Sequence, residues 1–546
     1  MKLFNTPLEA FLHWEKSTPN KIFLKQPFNK TLHIYTYKEA GQEIRKIAGA
    51  IQAHKLPNQS HIALLSKNCA HWILADLAIL MTHNVSIPVY PSLNSTAINQ
   101  ILVHSESKLI ILGKLDTYEE QKQGIPDIPK ISVNLFGVND GESWENIVLS
   151  NASTTDISPS KPDDLHTIIY TSGTTGIPKG VMHTVGNFMN SINTIGPLLS
   201  LKDHSRFFSY LPLSHIAERV ISAFALTIGG QISFTESLET FAADLEATQP
   251  HTFFAVPRIW TKFQEKILEA LPQKKLNLFL TIPILNNIVK NKLKKKIGLK
   301  ESVISISGAA PLAKEVMEWY QKIGVEILQV YGMTEDCCIS HFSLSNQNKI
   351  GAVGKALPGV QIKLLPDGEI LIKNPCLMKG YFRNPEITSE VLTTEGYFRT
   401  GDIGEYDHHG YLTITGRVKD QFKTDKGKYI CPSPIELQIA DNNNVEQLCV
   451  VGTGIPEPIA LIVLSQRGKQ KDPKVLEVEL FDTIKIVNSS LEKHEYIRKV
   501  IVMKEDWTLD NGLMTPTLKV KRNQVEKIHR EYYKSWFECD DKLIFE

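Results

Sequence analysis

Through roughly its first four hundred residues the chain alternates short, strand-like apolar runs with helix-like stretches, and few architectures accommodate that rhythm. His61-Ile62-Ala63-Leu64-Leu65 reads as a buried strand, a helical stretch follows from His71 to about Met81, and Ser86 to Val89 returns to strand. Thr252 to Val256 is β-rich, with Pro257 opening a helical pattern through Ile267 and Leu271. Ser302 to Ile306 and Val325 to Val330 read as strands around a helix from Leu312 to Ile323, stopped by Gly324. Such alternation predicts an α/β fold on a mostly parallel sheet. No fixed-period repeat accompanies it.

After about residue 350 the texture changes. Gln361 to Leu365 and Glu369 to Ile372 flank the turn sequence Pro366-Asp367-Gly368, as in a β-hairpin, and Glu405 to Thr415 repeats the pattern around His408-His409-Gly410. A small antiparallel unit is therefore expected after the parallel sheet. The polar run Gly416 to Gln421 then separates a small α+β domain. The expected division is 1–418 and 419–546.

Composition narrows the partners. The 546 residues carry 60 Lys+Arg against 59 Asp+Glu, a net charge of +1, which argues against a whole-protein grip on nucleic acid. Seven cysteines without a CxxC pair disfavour a disulfide framework or a zinc finger and suit a reducing cytoplasm. The N-terminus lacks the apolar stretch of a secretory signal. The longest apolar suspect, Leu276 to Val289, is interrupted by Pro283 and three asparagines and is too short to span a bilayer.

The chemistry concentrates in Thr167 to Gly180. An apolar strand runs into Thr171-Ser172-Gly173-Thr174-Thr175-Gly176-Ile177-Pro178-Lys179. Glycines let backbone N–H groups converge on an anion, hydroxyls add donors, and Lys179 adds a mobile positive charge. This is a phosphate-cradling loop, although GxxxxGK[ST] is matched nowhere in the chain.

The loop resembles the signature of the adenylate-forming superfamily of acyl-CoA synthetases, luciferases and peptide-synthetase adenylation domains. Four further blocks resemble that family in order: Tyr331-Gly332-Met333-Thr334-Glu335, Tyr397 to Asp402, Gly416 to Asp420, and Leu513 to Arg522. The resemblance implies ATP, Mg²⁺ and coenzyme A as cofactor and co-substrates. Thr171 to Gly176 and Lys179 would hold phosphates. Tyr331 would stack on adenine beside Gly308-Ala309-Ala310, with Gly332 and Thr334 lining the same site. Glu335 and Thr174 would bind the metal. Asp402 would accept from the ribose hydroxyls and Arg417 would donate nearby. Lys519 would be a mobile catalytic lysine and Lys419 a hinge. Read without the resemblance, Lys519, Lys521 and Arg522 form a solvated basic face.

Thr515-Pro516-Thr517-Leu518-Lys519, Leu211 to Arg219 and Val103 to Lys108 resemble the long-chain fatty acyl-CoA synthetases. That branch implies a fatty acid substrate and a role for His215 at the acyl site, against a plain helix-start histidine. Trp260 reads as core rather than a gate. A fatty acyl-AMP ligase, a non-catalytic nucleotide-binding scaffold and a peptide-synthetase module are the rivals. Lys274 to Lys300 holds eight lysines and no acid, interleaved with Leu, Ile and Phe. It reads as a solvated basic face or as a peripheral dock on anionic lipid. Acyl length and oligomeric state are not legible.

Overall fold

The computed structural model describes residues 2–150, 153–154, 157, 160–171, 178–515 and 519–546, the side chain of Asn346 aside. The chain forms two compact units. The first comprises Met1–Ala310, Lys314–Gln361 and Lys373–Phe398; the second comprises Pro311–Ala313, Ile362–Ile372 and Arg399–Glu546.

In the first unit an eight-stranded sheet runs in the order Gly380–Tyr381, Lys179–Thr184, Leu165–Thr171, Val85–Val89, His61–Leu65, Leu109–Leu112, Lys130–Ser132 and Glu142–Ser143. The pairings are parallel from Leu165–Thr171 onward and antiparallel through Lys179–Thr184. Its strands are apolar on both faces because both are covered. Ile62 and Leu64 join one core with the helix Ala70–Met81, whereas Ala63 and Leu65 face the opposite core, with Ile98 and Ile101 of the helix Ser95–His104. Burying each such Ile or Leu contributes about 1.5–3 kcal/mol.

A second sheet places Thr252–Ala255, Ile304–Ser307 and Ile327–Tyr331 side by side and parallel, followed by two short antiparallel strands. The helix expected from Leu312 begins at Lys314. The strand expected from Ser302 begins at Ile304. A third, four-stranded sheet of this unit includes Ile22–Phe28 and Arg206–Ser209.

The second unit contains the antiparallel strands read from residues 361–372 and 405–415, in a four-stranded sheet with Phe398–Tyr406 beside Leu412–Arg417. Beyond them, Val445–Val451, Ile459–Leu464, Val500–Val502 and Leu543–Phe545 form another sheet. Period-two alternation divides its side chains cleanly. Ala460, Ile462, Val500 and Val502 pack with the helix Pro473–Ser489, while Leu461, Val463 and Ile501 pack with Val525 and Tyr533. The division at 398/399 counts the antiparallel strands with the C-terminal unit.

Candidate active site

Thr171 ends the strand Leu165–Thr171 and lies opposite Lys179, the first residue of the returning strand. The two flanks of the expected phosphate loop are therefore held in register by a sheet. Ser172, Gly173, Thr174, Thr175 and Gly176 lie outside the described residues.

Two loops leave the same edge of the second sheet. Ile304–Ser307 and Ile327–Tyr331 are parallel neighbours, so Gly308-Ala309-Ala310 and Tyr331-Gly332 emerge together at their C-terminal ends, the edge where parallel α/β sheets gather ligands. Ala309 sits at φ +66°, a left-handed conformation uncommon for a residue with a Cβ. Gly332 is required for close approach: a Cβ there would lie 2.4 Å from the carbonyl carbon of Cys338. Gly332→Ala is expected to displace the 331–338 turn and to cost about 1–3 kcal/mol, the usual penalty of overpacking. A lower thermal midpoint together with a raised KM for ATP would show it; an unchanged KM would separate the turn from nucleotide binding.

The turn is tied to the phosphate-loop flank by residues that sequence reading missed. Tyr381 pairs with Val181 across an antiparallel bridge, and its hydroxyl donates to Glu335 Oε1 at 2.8 Å. Burial, then the Glu335 charge, holds this phenol well above its usual range. The Lys179 ammonium lies 5.3 Å from the centre of the same ring, a cation–π contact. His183, kept neutral by burial with its pKa lowered to about 4, donates from Nε2 to the Thr334 carbonyl at 2.7 Å. Asp336 is buried beside Glu335; burial pushes its carboxyl up to about 7, although the Met333 amide donates to it at 2.8 Å. Thr334 and Glu335 thus sit on a braced turn, with Cys337 and Cys338 both in left-handed backbone.

Beside this turn lies an apolar cleft. Ile195, Phe207, Phe224, Phe254 and Ile306 line it, and Val330 and Ile339 bring its wall to either side of the 331–336 segment. The space between the walls is about 760 Å³ with the open mouth and its solvent included. His215 caps the helix Ile216–Thr227 at the edge of this region, its Nδ1 accepting from the Ala217 amide at 3.2 Å. Trp260 is fully buried against Phe253 and Tyr320.

Glu218, one turn into that helix, is part of the cleft wall and buried. Burial pushes its carboxyl up to about 8, against a hydrogen bond with Ser209, and Tyr210 lies close enough to feel its charge. Because the folded pKa exceeds the unfolded one, the native state binds the extra proton between about pH 4.5 and about pH 8, and stability falls as pH rises through that window. Glu218→Gln, which mimics the protonated form, is expected to remove that slope and to gain on the order of a few kcal/mol over the parent at the alkaline end. Parallel denaturation curves for the two proteins across this window would count against it.

In the second unit, Asp402 and Arg417 are cross-strand neighbours. Arg417 Nε donates to Asp402 Oδ1 at 2.8 Å; the carboxylate is 6% exposed and the guanidinium 59%. The Tyr397–Asp402 block is steadied by buried Glu369, which accepts from Arg399 and from the Gly401 amide. Lys419 lies in the 3₁₀ turn Val418–Asp420. Lys519 closes a loop: its amide donates to Thr515 Oγ1 at 3.0 Å and its carbonyl accepts from the Thr515 amide at 2.8 Å. The solvated basic face read at Lys519, Lys521 and Arg522 is corrected at its last member. The Arg522 side chain is 12% exposed and donates to Glu436 Oε1 and to the Val450 carbonyl, both at 2.5 Å.

Comparison with known proteins decides the family. The profile described as AMP-binding enzyme matches residues 11–382, and its C-terminal-domain counterpart matches residues 419–538. The chain belongs to the AMP-binding enzymes. Among relatives, this AMP-binding enzyme is 27% identical to the long-chain-fatty-acid–CoA ligase FadD15 of Mycobacterium bovis, over 95% of each chain. It is 30% identical to the peroxisomal long chain acyl-CoA synthetase 6 of Arabidopsis thaliana, over 91% of this chain and 80% of the relative. The adenylation domain of a carboxylate reductase from Mycobacterium chelonae superposes with a TM-score of 0.83 at 21% identity, covering 98% of this chain and 91% of that one. The o-succinylbenzoate CoA synthetase of Bacillus subtilis with its acyl-adenylate does so at 0.75 and 22%, covering 95% and 97%.

Proposed function

We propose that this AMP-binding enzyme converts a long-chain fatty acid to an acyl-adenylate and then to its coenzyme A thioester. The observation that carries the reading is the apolar cleft set beside the Tyr331–Glu335 turn, an apolar bed adjoining a polar, oxygen-rich edge. The names of the relatives support the same substrate class.

In the first step a carboxylate oxygen of the acid attacks the α-phosphorus of ATP and pyrophosphate leaves. Negative groups converge, so cations must be placed where charge accumulates. We assign that task to Lys179 on the phosphate loop and to Lys519, with Tyr331 stacking on the adenine and Asp402 accepting from the ribose, Arg417 beside it. Glu335 would hold one Mg²⁺, with Thr174 as a further ligand. The Tyr381 hydrogen bond takes one of roughly four acceptor positions on that carboxylate. When bound, the ion would offset phosphate charge. Among the described residues no three His, Cys, Asp or Glu side chains form a ready-made metal cage, so we assign the remaining ligands to the nucleotide. In the second step the coenzyme A sulfur attacks the acyl carbon and AMP leaves. We assign the change between steps to rotation of residues 419–546 about Lys419. We place the reaction in the cytoplasm, where ATP and coenzyme A are held and where the chain's seven free thiols stay reduced.

AMP release, measured with and without coenzyme A across acids from acetate to oleate, tests this. Coenzyme A-dependent turnover rising steeply with chain length is expected. Turnover confined to short acids would overturn the substrate assignment, and adenylate formation that coenzyme A never discharges would reassign the acceptor to a carrier protein.

A further inference from the structure

The segment between Lys274 and Lys300 folds as a helical hairpin, Gln273–Thr281 and Pro283–Lys296, broken at Ile282–Pro283. Asn286 Nδ2 donates to the Leu280 carbonyl at 2.7 Å and closes the bend. At the bend the apolar side chains face outward: Leu278, Ile282, Ile284, Leu285 and Ile288 are between 37% and 77% exposed. Isolated exposed apolar residues are ordinary on a protein surface; five gathered at one tip mark an interaction site.

Distance along the helices sorts the hairpin into two levels. At about 1.5 Å per residue, the five apolar residues lie within about 9 Å of the bend. Lys274 and Lys275 on one helix and Lys290 on the other lie about 11–12 Å back, and Lys292 to Lys296 extend to about 21 Å. Lys296 pairs with Glu246 at 2.8 Å, whereas the segment itself contains no acidic residue. No helix among the described residues is long and apolar enough to cross a membrane. Insertion of the tip to about 5–10 Å would leave the lysine tier at the level of lipid headgroups.

We infer that this hairpin docks the protein on an anionic lipid bilayer, its apolar tip sunk below the headgroups and its lysine tier on the phosphates. An apolar tip backed by a purely cationic tier matches a negatively charged surface over an apolar interior, a complementarity that a neutral bilayer lacks. The inference is independent of the ligase reading, since vesicle binding is measured without turnover.

Flotation of the full chain with phosphatidylcholine vesicles, with and without phosphatidylglycerol, tests it. Binding is expected only with phosphatidylglycerol. Ile284→Asp with Ile288→Asp is expected to lower the bound fraction about tenfold, and so is the quadruple Lys274→Gln, Lys275→Gln, Lys292→Gln and Lys295→Gln. All six positions avoid the core, so unchanged thermal midpoints would confirm that the variants are folded. Equal binding to neutral vesicles would overturn the inference, as would binding that the isoleucine pair leaves untouched. Self-association that the isoleucine pair abolishes, without vesicle binding, would assign the tip to a second copy of the chain instead.

Discussion

Lys519→Ala is expected to slow acyl-adenylate formation by about 10²–10³-fold, the usual cost of deleting one preorganised stabiliser of developing charge. The same variant, given synthetic acyl-adenylate, is expected to form thioester at close to the parent rate. In that half-reaction the bond that breaks is the acyl–phosphate one, and no new charge develops between carboxylate and triphosphate. Pyrophosphate release in single turnovers and thioester formation from supplied adenylate are the two measurements. An unchanged pyrophosphate burst would remove Lys519 from the chemistry. Equal loss in both halves would make its role structural.

Lys419→Pro is expected to show the opposite split. The substitution fixes φ near −65° and removes a backbone donor. In the turn Val418–Asp420 such a φ is tolerable in one arrangement, and a hinge needs more than one. Adenylation should survive, while thioester formation should fall by about 10²-fold, the penalty for misplacing reacting groups by about 1 Å. Surviving adenylation doubles as the control for folding. Both half-reactions falling together would place the hinge elsewhere.

What could be read from the sequence depended on whether the information was local. The strand His61–Leu65, the helix ending at Met81 and the strand that runs into Thr171 follow from short-range patterns, and the structure places them where those patterns point, whereas Lys179, read as a mobile charge on the loop, opens the returning strand. Tyr381 and His183 were illegible because they reach the Thr334–Glu335 turn by strand pairing and packing across intervals of 46 and 151 residues. No spacing rule connects such positions. Glu369 was missed for the same reason: its carboxylate meets Arg399 and Gly401 from a neighbouring strand. The cleft, assembled from scattered apolar side chains on several strands and helices, carries no linear signature.

Arg522 is a different kind of omission, since its signal was present. In the helix Arg522–His529, positions 522, 525 and 529 share a face, and Val525 and His529 are buried. An arginine on an inward stripe needs an acid and an acceptor, and Glu436 and the Val450 carbonyl supply them. Composition alone grouped it with its solvated neighbours.

That anchored guanidinium governs how far its neighbour can travel. Lys519 is only three residues from a side chain clamped inside the domain, and on the other side the Met514–Val520 bridge draws its loop shut. The ammonium is on a short leash: its four-carbon stem reaches a few ångströms from a backbone tied at Thr515, Val520 and Arg522. Under the proposed mechanism, bringing Lys519 to the phosphates would fall to transport of the whole domain as cargo, and loosening the leash at Glu436 would trade aim for reach.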